Sequence, residues 1–538
     1  MLKYFVIYDT VGGECHQQYT PERSCGIAAG DTSHISFSGA AQRLHFLRRF
    51  HMEAKILNIV AKLNAYLSDY ILIILLVGVG LFYSFKTNFV QVRCFGEGLK
   101  KVFRGIKLRG GKNESGLSSF QALATAIAAQ VGTGNIVGAS GAILIGGPGA
   151  IFWMWIIAFL GMATIYAEAV LAQETRIKGE DGEVRGGPVY YIKKAFTGKF
   201  GTFLAIFFSI ASILALGFMG SMVQSNSIAE SMNNAFGIPG WIIGIIIAVI
   251  CAVIFIGGIQ RIASVTEKIV PFMACLFLFG GFVVLILNIT KIPETFGLIF
   301  KYAFAPSALI GGGFGYALKT AISQGAKRGL FSNEAGMGST PHAHAQANVE
   351  KPHDQGVVAM VGVFIDTFVV LTMTALVVIS TLYTDGGRLS GISGADYVHE
   401  TSGSSLLNYD AAVSKSTAMQ AAMTDGLPDF LGNFGAIFVA ICLLFFAFST
   451  IISWNFFGKL NVQWISKNKK WALLAYAVVS VGFIFLGSML QNDLVWELTD
   501  FFNYLMVLPN AIALIALYKL VQKNVPNLVI KKKKKKDE

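Results

Sequence analysis

From residue 115 to residue 167 the chain carries no Asp, Glu, Lys or Arg. A run of that length without charge cannot sit on a water-exposed surface, and it spans more than one hydrocarbon core of about 30 Å. Similar apolar segments recur near 69–85, 120–143, 150–173, 201–232, 241–257, 269–289, 309–325, 356–383, 432–457, 471–490 and 498–520. Only 14% of the residues are charged and the mean hydropathy is +0.59, where a soluble domain has about 25% charged residues. Backbone inside lipid must satisfy its own hydrogen bonds, so these segments read as helices of a polytopic membrane protein. The sequence thus predicts an all-α membrane protein with eleven transmembrane helices.

Orientation follows from the basic residues. Alternate loops beginning with 86–118, together with the end of the chain, hold 31 Lys and Arg, against 4 in the opposite loops. The first set is therefore predicted to face the cytoplasm, with the C-terminus, and the acidic 384–431 loop to face outward. That distribution places the net charge of +12 at a membrane surface and argues against nucleic acid as a partner. The final KKKKKK is read within a basic cytoplasmic tail, 523–538, resting on anionic lipid. The start does not fit. Residues 1–68 should be external, yet they hold seven Lys or Arg. Residues 1–51 are polar and lack the apolar core of a signal peptide, so they read as an extension upstream of a start at Met52. An amphipathic lead-in follows at 52–68, then a transporter domain at 69–522.

Inside the uncharged run lies QVGTGNIVGASG, residues 130–141. A dinucleotide turn needs G-x-G-x-x-G and an acidic residue about 20 positions on, but the third position is Val137 and no acid follows before Glu168. Two other readings are open. Gly134 and Gly138 are spaced to let helices pack closely. Alternatively, Gly132, Thr133, Gly134 and Asn135 unwind a helix at mid-depth, which is tolerated only beside a protein-enclosed cavity. Such a break presents N–H groups to a carboxylate and carbonyls to a small cation. In an inverted repeat a second broken helix is expected, and pairing five spans with five points to 309–325, with Gly311, Gly312, Gly313 and Gly315.

Other polar residues at depth are Gln224, Asn226, Thr450, Trp454 and Asn455, which either line the same cavity or bond helix to helix. Lys319 and Asp366 are the clearest intramembrane charges, and pairing them would ease the cost of burying both. Glu168, in the inner third of its span, reads as structural or interfacial. His342, His344 and His353 fall in the 326–355 loop without further ligands, which argues against a metal there. The six cysteines show no C-x-x-C pair and no ligand spacing, and three lie in apolar spans. No H-E-x-x-H, no G-x-S-x-G and no carboxylate pair at depth point to an enzyme.

GGPGAIFWMWIIAFLGMATIYAEAVLAQ at 146–173, ATAIAAQVGTGNIVG before it, GGPVYYI at 186–192 and SQGAKRGLFSNEAGMGS at 323–339 resemble the alanine/glycine:cation symporters, the sodium:alanine symporter family of prokaryotes. The resemblance covers about residues 65–520. It implies the leucine-transporter architecture, one extra helix followed by two inverted five-helix repeats. It also implies sodium-driven uptake of alanine, glycine and similar small neutral amino acids across a bacterial inner membrane, with sodium as co-transported substrate and no resident cofactor. By that resemblance Thr133 and Gly134 would hold the substrate carboxylate. The carbonyls of Ala128 and Val131, with Ser449 or Thr450, would hold sodium. Gln130 and Asn135 would lie at a second cation site, and Gln224, Trp454, Asn455 and Gly313 would frame the amino acid. A proton-coupled symporter of the same fold, or one for another small amino acid, is the alternative; Asp366 or Glu168 would then carry the proton.

Overall fold

A computed structural model describes residues 55–105, 117–179, 183–256, 258–304, 313–390 and 413–526; the amino-terminal extension, Gly311 and Gly312, the middle of the acidic loop and the lysine tail lie outside them. The chain is almost wholly helical. We label α1 Lys55–Lys86, α2 Phe95–Gly105, α3 Ser119–Gln130, α4 Gly134–Gly146, α5 Ala150–Thr175, α6 Gly198–Phe236 and α7 Gly240–Ile256. The second part comprises α8 Gly258–Leu287, α9 Gly313–Asn333, α10 Pro341–His344, α11 Pro352–Tyr383, α12 Phe434–Ser466, α13 Lys470–Gly487 and α14 Asn492–Ala516. A two-residue antiparallel hairpin, Ile177–Lys178 with Val184–Arg185, is the only named sheet among the described residues.

Every apolar segment read from the sequence falls on helix where it is described. Among the described residues eight helices are long and apolar enough to cross a bilayer, nine when the bent pair α3 and α4 counts as one. Local signals set the ends. Ser118 and Gln121 form a capping box at the start of α3. Gly237, at φ +69°, closes α6, and Pro352 opens α11.

The interior is largely apolar, and it is the outer surface that differs from that of a water-soluble protein. Large apolar side chains face outward, among them Ile74 at 69% exposure, Phe279 at 70% and Val478 at 65%, as a lipid solvent requires. The interior holds Gln130, Gln224, Asn135, Glu168, Glu334 and Asp366, all buried. Helix α11 lies along α5, where Gly356 lets the Tyr166 ring approach to 2.7 Å of the position its own Cβ would take.

Three expectations change. The 326–355 stretch is not a free loop: α9 runs on to Asn333, residues 334–340 are buried, and α10 carries His342 and His344 into the interior. Lys327, Arg328 and Glu334 interrupt the apolar run, which is why hydropathy ended the span early. Lys319 and Asp366 do not pair. Lys319 is half exposed and meets Asp69 of α1 at 3.1 Å, where Lys327 joins at 3.3 Å. The ion pair at depth is instead Arg328 with Asp500, at 3.0 and 3.3 Å through two guanidinium nitrogens, with the guanidinium over the Trp496 ring. Finally, part of the acidic loop is packed: Gln420 on the helix Ala418–Asp425 donates to the carbonyls of Ser231 and Ala436.

Removing one partner of a buried pair strands a charge, whereas an exposed pair contributes little. Arg328→Met should therefore cost about 3–5 kcal/mol and Lys319→Met less than about 1 kcal/mol, a difference that thermal unfolding of the detergent-purified variants would reveal.

Candidate functional site

Helix α3 stops at Val131, whose ψ of 87° turns its carbonyl away from the helix axis. Gly132 and Thr133 follow as irregular backbone, a wide turn runs from Gly134 to Gly138, and α4 leaves at 45° to α3. The break expected at 132–135 is present, fully buried. Its freed backbone groups are met by side chains. Asn135 Oδ1 accepts from Gly132 N–H at 3.0 Å, and Gln224 Oε1 of α6 accepts from Thr133 N–H at 3.1 Å. The Ala128 carbonyl accepts from Thr450 Oγ1 at 2.8 Å and from Ser449 Oγ at 3.5 Å, both on α12.

Glycine is required at 132 for a stated reason. A Cβ there would lie 2.3 Å from Thr450 Oγ1 and 3.2 Å from Gln224 Oε1. Gly134 similarly lets α9 approach, since its Cβ would meet Phe331 Cδ1 at 3.0 Å and Ser332 Cα at 3.1 Å. The backbone breaks at Val131 and Gly132, and close packing requires glycine at both 132 and 134, so the two readings of the glycines hold together.

Of the span 309–325, where the sequence suggested a second break, residues 309–312 lie outside the described residues; an irregular stretch is present at the other end of the same helix. Gly313 is only the first residue of α9; Asn333, 20 residues on, lies about 30 Å further along the helix axis. The irregular backbone is at 334–340, NEAGMGST with its preceding Asn333. Glu334, Gly336 and Gly338 have φ of +57°, +90° and +82°, a conformation that glycine adopts freely and glutamate does not. Buried groups hold it in place. Glu168 of α5 accepts from Gly336 N–H at 3.0 Å and from Asn510 Nδ2 at 2.6 Å, and Asn510 also donates to the Gly336 carbonyl. Glu168 is accordingly structural, though not interfacial.

The two breaks face one another. Gln130 Nε2 donates to the Asn333 carbonyl at 2.7 Å. Asn135 Nδ2 donates to Asp366 Oδ1 at 2.6 Å, and Ser332 and Thr367 hydroxyls donate to the other oxygen. Asp366 is therefore joined to the first break by an amide rather than to a lysine. Trp454 Nε1 donates to Glu334 Oε1 at 2.5 Å, while Phe331 meets the indole edge-on and Gly220 lies flat against it. Glu334 is also held by Ser339.

Of the residues read from sequence, Ala128, Gln130, Val131, Thr133, Gly134, Asn135, Gln224, Asp366, Ser449, Thr450 and Trp454 surround this pair of breaks. Asn455 does not: its amide donates to Ser480 at 2.6 Å. Asn226 bonds the carbonyls of Gly487 and Leu490, a helix-to-helix role. The three histidines do not cluster; His342 meets Ser339 and Asn461, His344 meets Gln355, and His353 meets Tyr166 and Glu97. Sequence reasoning missed Phe331, Ser332, Asn333 and Glu334. Their signal was two glycines, an Asn and a Glu just past an apolar helix, the same mixture that marked the first break.

Four buried side-chain atoms at the breaks have no hydrogen-bond partner among the described residues: Gln130 Oε1, Thr133 Oγ1, Gln224 Nε2 and Thr340 Oγ1. Buried polar atoms are normally paired, so each leaves hydrogen-bonding capacity unused beside the irregular backbone.

Paired helix breaks inside a membrane bundle are the form in which secondary transporters, those of the leucine-transporter fold among them, build their binding sites. Consistent with that fold, the chain superposes on the crystal structure of MhsT in complex with L-phenylalanine with a TM-score of 0.50 over 77% of this chain and all of that one, at 15% identity. Residues 53–538 match the model of the sodium:alanine symporter family, and the chain belongs to that family. It is 39% identical to a putative sodium/proton-dependent alanine carrier protein of Bacillus subtilis, across 86% of this chain and 90% of the relative. It is 38% identical to the sodium/alanine symporter of Methanococcus maripaludis, across 86% and 94%. A probable sodium/glutamine symporter of B. subtilis is 35% identical across 89% and 92%.

The contact between Gly132 and Thr450 is directly testable. Gly132→Ala should destabilise the protein by about 1–3 kcal/mol through overpacking, and adding Thr450→Ala should recover most of that loss. Additive effects in thermal unfolding of the single and double variants would contradict the geometry.

Proposed function

We propose that the chain imports a small neutral amino acid, alanine or glycine, together with sodium, by alternating access. The observation that carries this reading is the first break, where a carbonyl already gathers two hydroxyls and an N–H already rests on an exchangeable amide oxygen.

Sodium is held by the carbonyls of Ala128 and Val131 and the hydroxyls of Ser449 and Thr450. This set bridges α3 and α12, so the ion draws the broken helix onto its neighbour. The substrate carboxylate replaces Gln224 Oε1 on Thr133 N–H, next to Gly134. The N–H is thereby satisfied with or without cargo, and Gln224 is released to donate through Nε2. Sodium orders the backbone that receives the carboxylate, so each ligand raises the affinity for the other by the same factor. Trp454, fixed by Glu334, and Phe331 close the space and limit the side chain carried. With one net charge moved per cycle, a potential of 100 mV adds about 2.3 kcal/mol to accumulation.

In this reading the helices form one extra span and two inverted sets of five, with α3–α4 and α9–α10 as the broken members. The side rich in Lys and Arg is cytoplasmic. A second coupling ion is favoured by a specific observation: Asp366 is fully buried, accepts hydrogen bonds from three side chains, and is bonded to Asn135 of the break. It supplies the negative charge that a second cation near Gln130 and Asn135, or a proton, would need.

Labelled alanine uptake by proteoliposomes separates these cases. Concentrative uptake that requires a sodium gradient, with Thr450→Ala raising the sodium concentration for half-maximal rate at least about tenfold (1.4 kcal/mol of lost ion binding), is the expected result. Uptake that follows a pH gradient and is abolished in Asp366→Asn would transfer the coupling to protons. Trp454→Ala should admit larger amino acids as competitors; an unchanged competition profile would remove the indole from the site.

A further inference from the structure

Away from the two breaks, among the described residues, one group of ligand-type side chains lies outside the site described above. Cys94, Glu97 and His353 bring a sulfur, a carboxylate oxygen and an imidazole nitrogen within 4.8 Å of one another. Cys94 ends the short helix Val90–Arg93, Glu97 lies in the first turn of α2, and His353 lies in the first turn of α11. The helices that carry them cross closely, for a Cβ on Gly98 would lie 2.6 Å from the Val357 carbonyl oxygen. The sulfur and the imidazole are buried; Glu97 reaches in from the surface.

The histidine is oriented as a ligand should be. Its Nδ1 meets the hydroxyl of buried Tyr166 at 2.8 Å, and its Nε2 faces Glu97 Oε2 at 3.3 Å. The Tyr166 hydroxyl can accept from Nδ1–H, which leaves Nε2 as the free nitrogen and aims it at Glu97, as outer partners do at metal sites. The remaining oxygen of Glu97 meets Lys101 Nζ at 3.2 Å, and Lys101 also pairs with Asp354 at 2.6 Å. Neighbouring Arg93 is directed to the carbonyls of Thr87 and Asn88. With Cys94 as thiolate, Glu97, Asp354 and the sulfur outweigh Lys101, and a divalent cation would neutralise the excess.

We propose that Cys94, Glu97 and His353 form a binding site for a zinc-class divalent cation that fastens α2 to the start of α11, with water completing the coordination. One sulfur, one nitrogen and one oxygen suit a borderline metal and not magnesium or calcium, which take oxygen ligands. Burial pushes the Cys94 thiol above its usual range, Arg93 offsetting part of that, so binding expels the thiol proton as the Sγ–metal bond forms. The cysteine and glutamate are one helical turn apart, but the histidine is more than 250 residues away, which hid the set from a reading of spacings.

The test uses the full chain, purified in detergent and freed of metal. Zinc chloride is titrated against a chromophoric chelator, and cobalt chloride is followed by absorbance. The wild type should bind one zinc that Cys94→Ser and His353→Gln weaken by more than about tenfold, since even a supporting residue causes losses of that order. The cobalt form should show a thiolate-to-metal band that Cys94→Ser removes, and zinc should raise the unfolding temperature of the wild type alone. If His353→Gln fails to fold, Glu97→Gln, altering a 43%-exposed side chain, takes its place. Equal zinc affinity in wild type and Cys94→Ser would overturn the proposal, assigning any binding to other groups such as Cys15 or Cys25. A cobalt spectrum without a thiolate band would overturn it as well.

Discussion

Backbone groups released from a helix inside a bilayer have no water to turn to. This chain releases them twice, at 131–134 and at 333–340, and the buried polar side chains are arranged around that fact. Asn135 and Gln224 take the N–H groups of the first break; Glu168 and Asn510 take both the N–H and the carbonyl of Gly336 in the second. Asn135 belongs to the first break itself, whereas Gln224, Glu168 and Asn510 stand on other helices, so the breaks are held by the bundle as well as by local sequence. The substituted partners are also replaceable. In the proposed function the amide oxygen on Thr133 N–H yields to a carboxylate oxygen without leaving the N–H bare, which would make irregular backbone a ligand site instead of a defect.

The same constraint explains where charge is placed. Arg328 and Asp500 neutralise each other at depth, whereas Glu168, Glu334 and Asp366 are held by amide, hydroxyl and indole donors. Two of these carboxylates brace the second break and one is bonded to the first. A carboxylate fixed by neutral donors keeps its capacity to respond to a cation or a proton, which a carboxylate locked to a lysine would lose. Asp366 held by Asn135 is thus a more useful neighbour for a coupling ion than Asp366 paired with Lys319 would be.

Much of the first break was legible because glycine, threonine and asparagine together in an uncharged apolar run have few other uses. Gln224, Thr450 and Trp454 were legible as polar or amphipathic residues at depth in their own spans, whereas Ser449 entered only through the family resemblance. The stretch 309–325, to which its glycines point, lies partly outside the described residues, and the irregular backbone at 334–340 follows Lys327 and Arg328, whose charges ended the apolar run. Arg328 is buried against Asp500 and Trp496, and a sequence cannot show that a charge so placed is neutralised.

The sequence by itself determined that the chain is a bundle of membrane helices, that one of them breaks in its middle, and, through its motifs, which family it resembles. Those properties follow from composition and local backbone preference, which act over a few residues at a time. Only the tertiary structure decided which helix end forms the facing break, which amide satisfies which N–H, that Lys319 belongs to Asp69, and that His353 meets Glu97 beside Cys94. These pairings join residues tens to hundreds of positions apart, and they are fixed by which helices come to lie side by side.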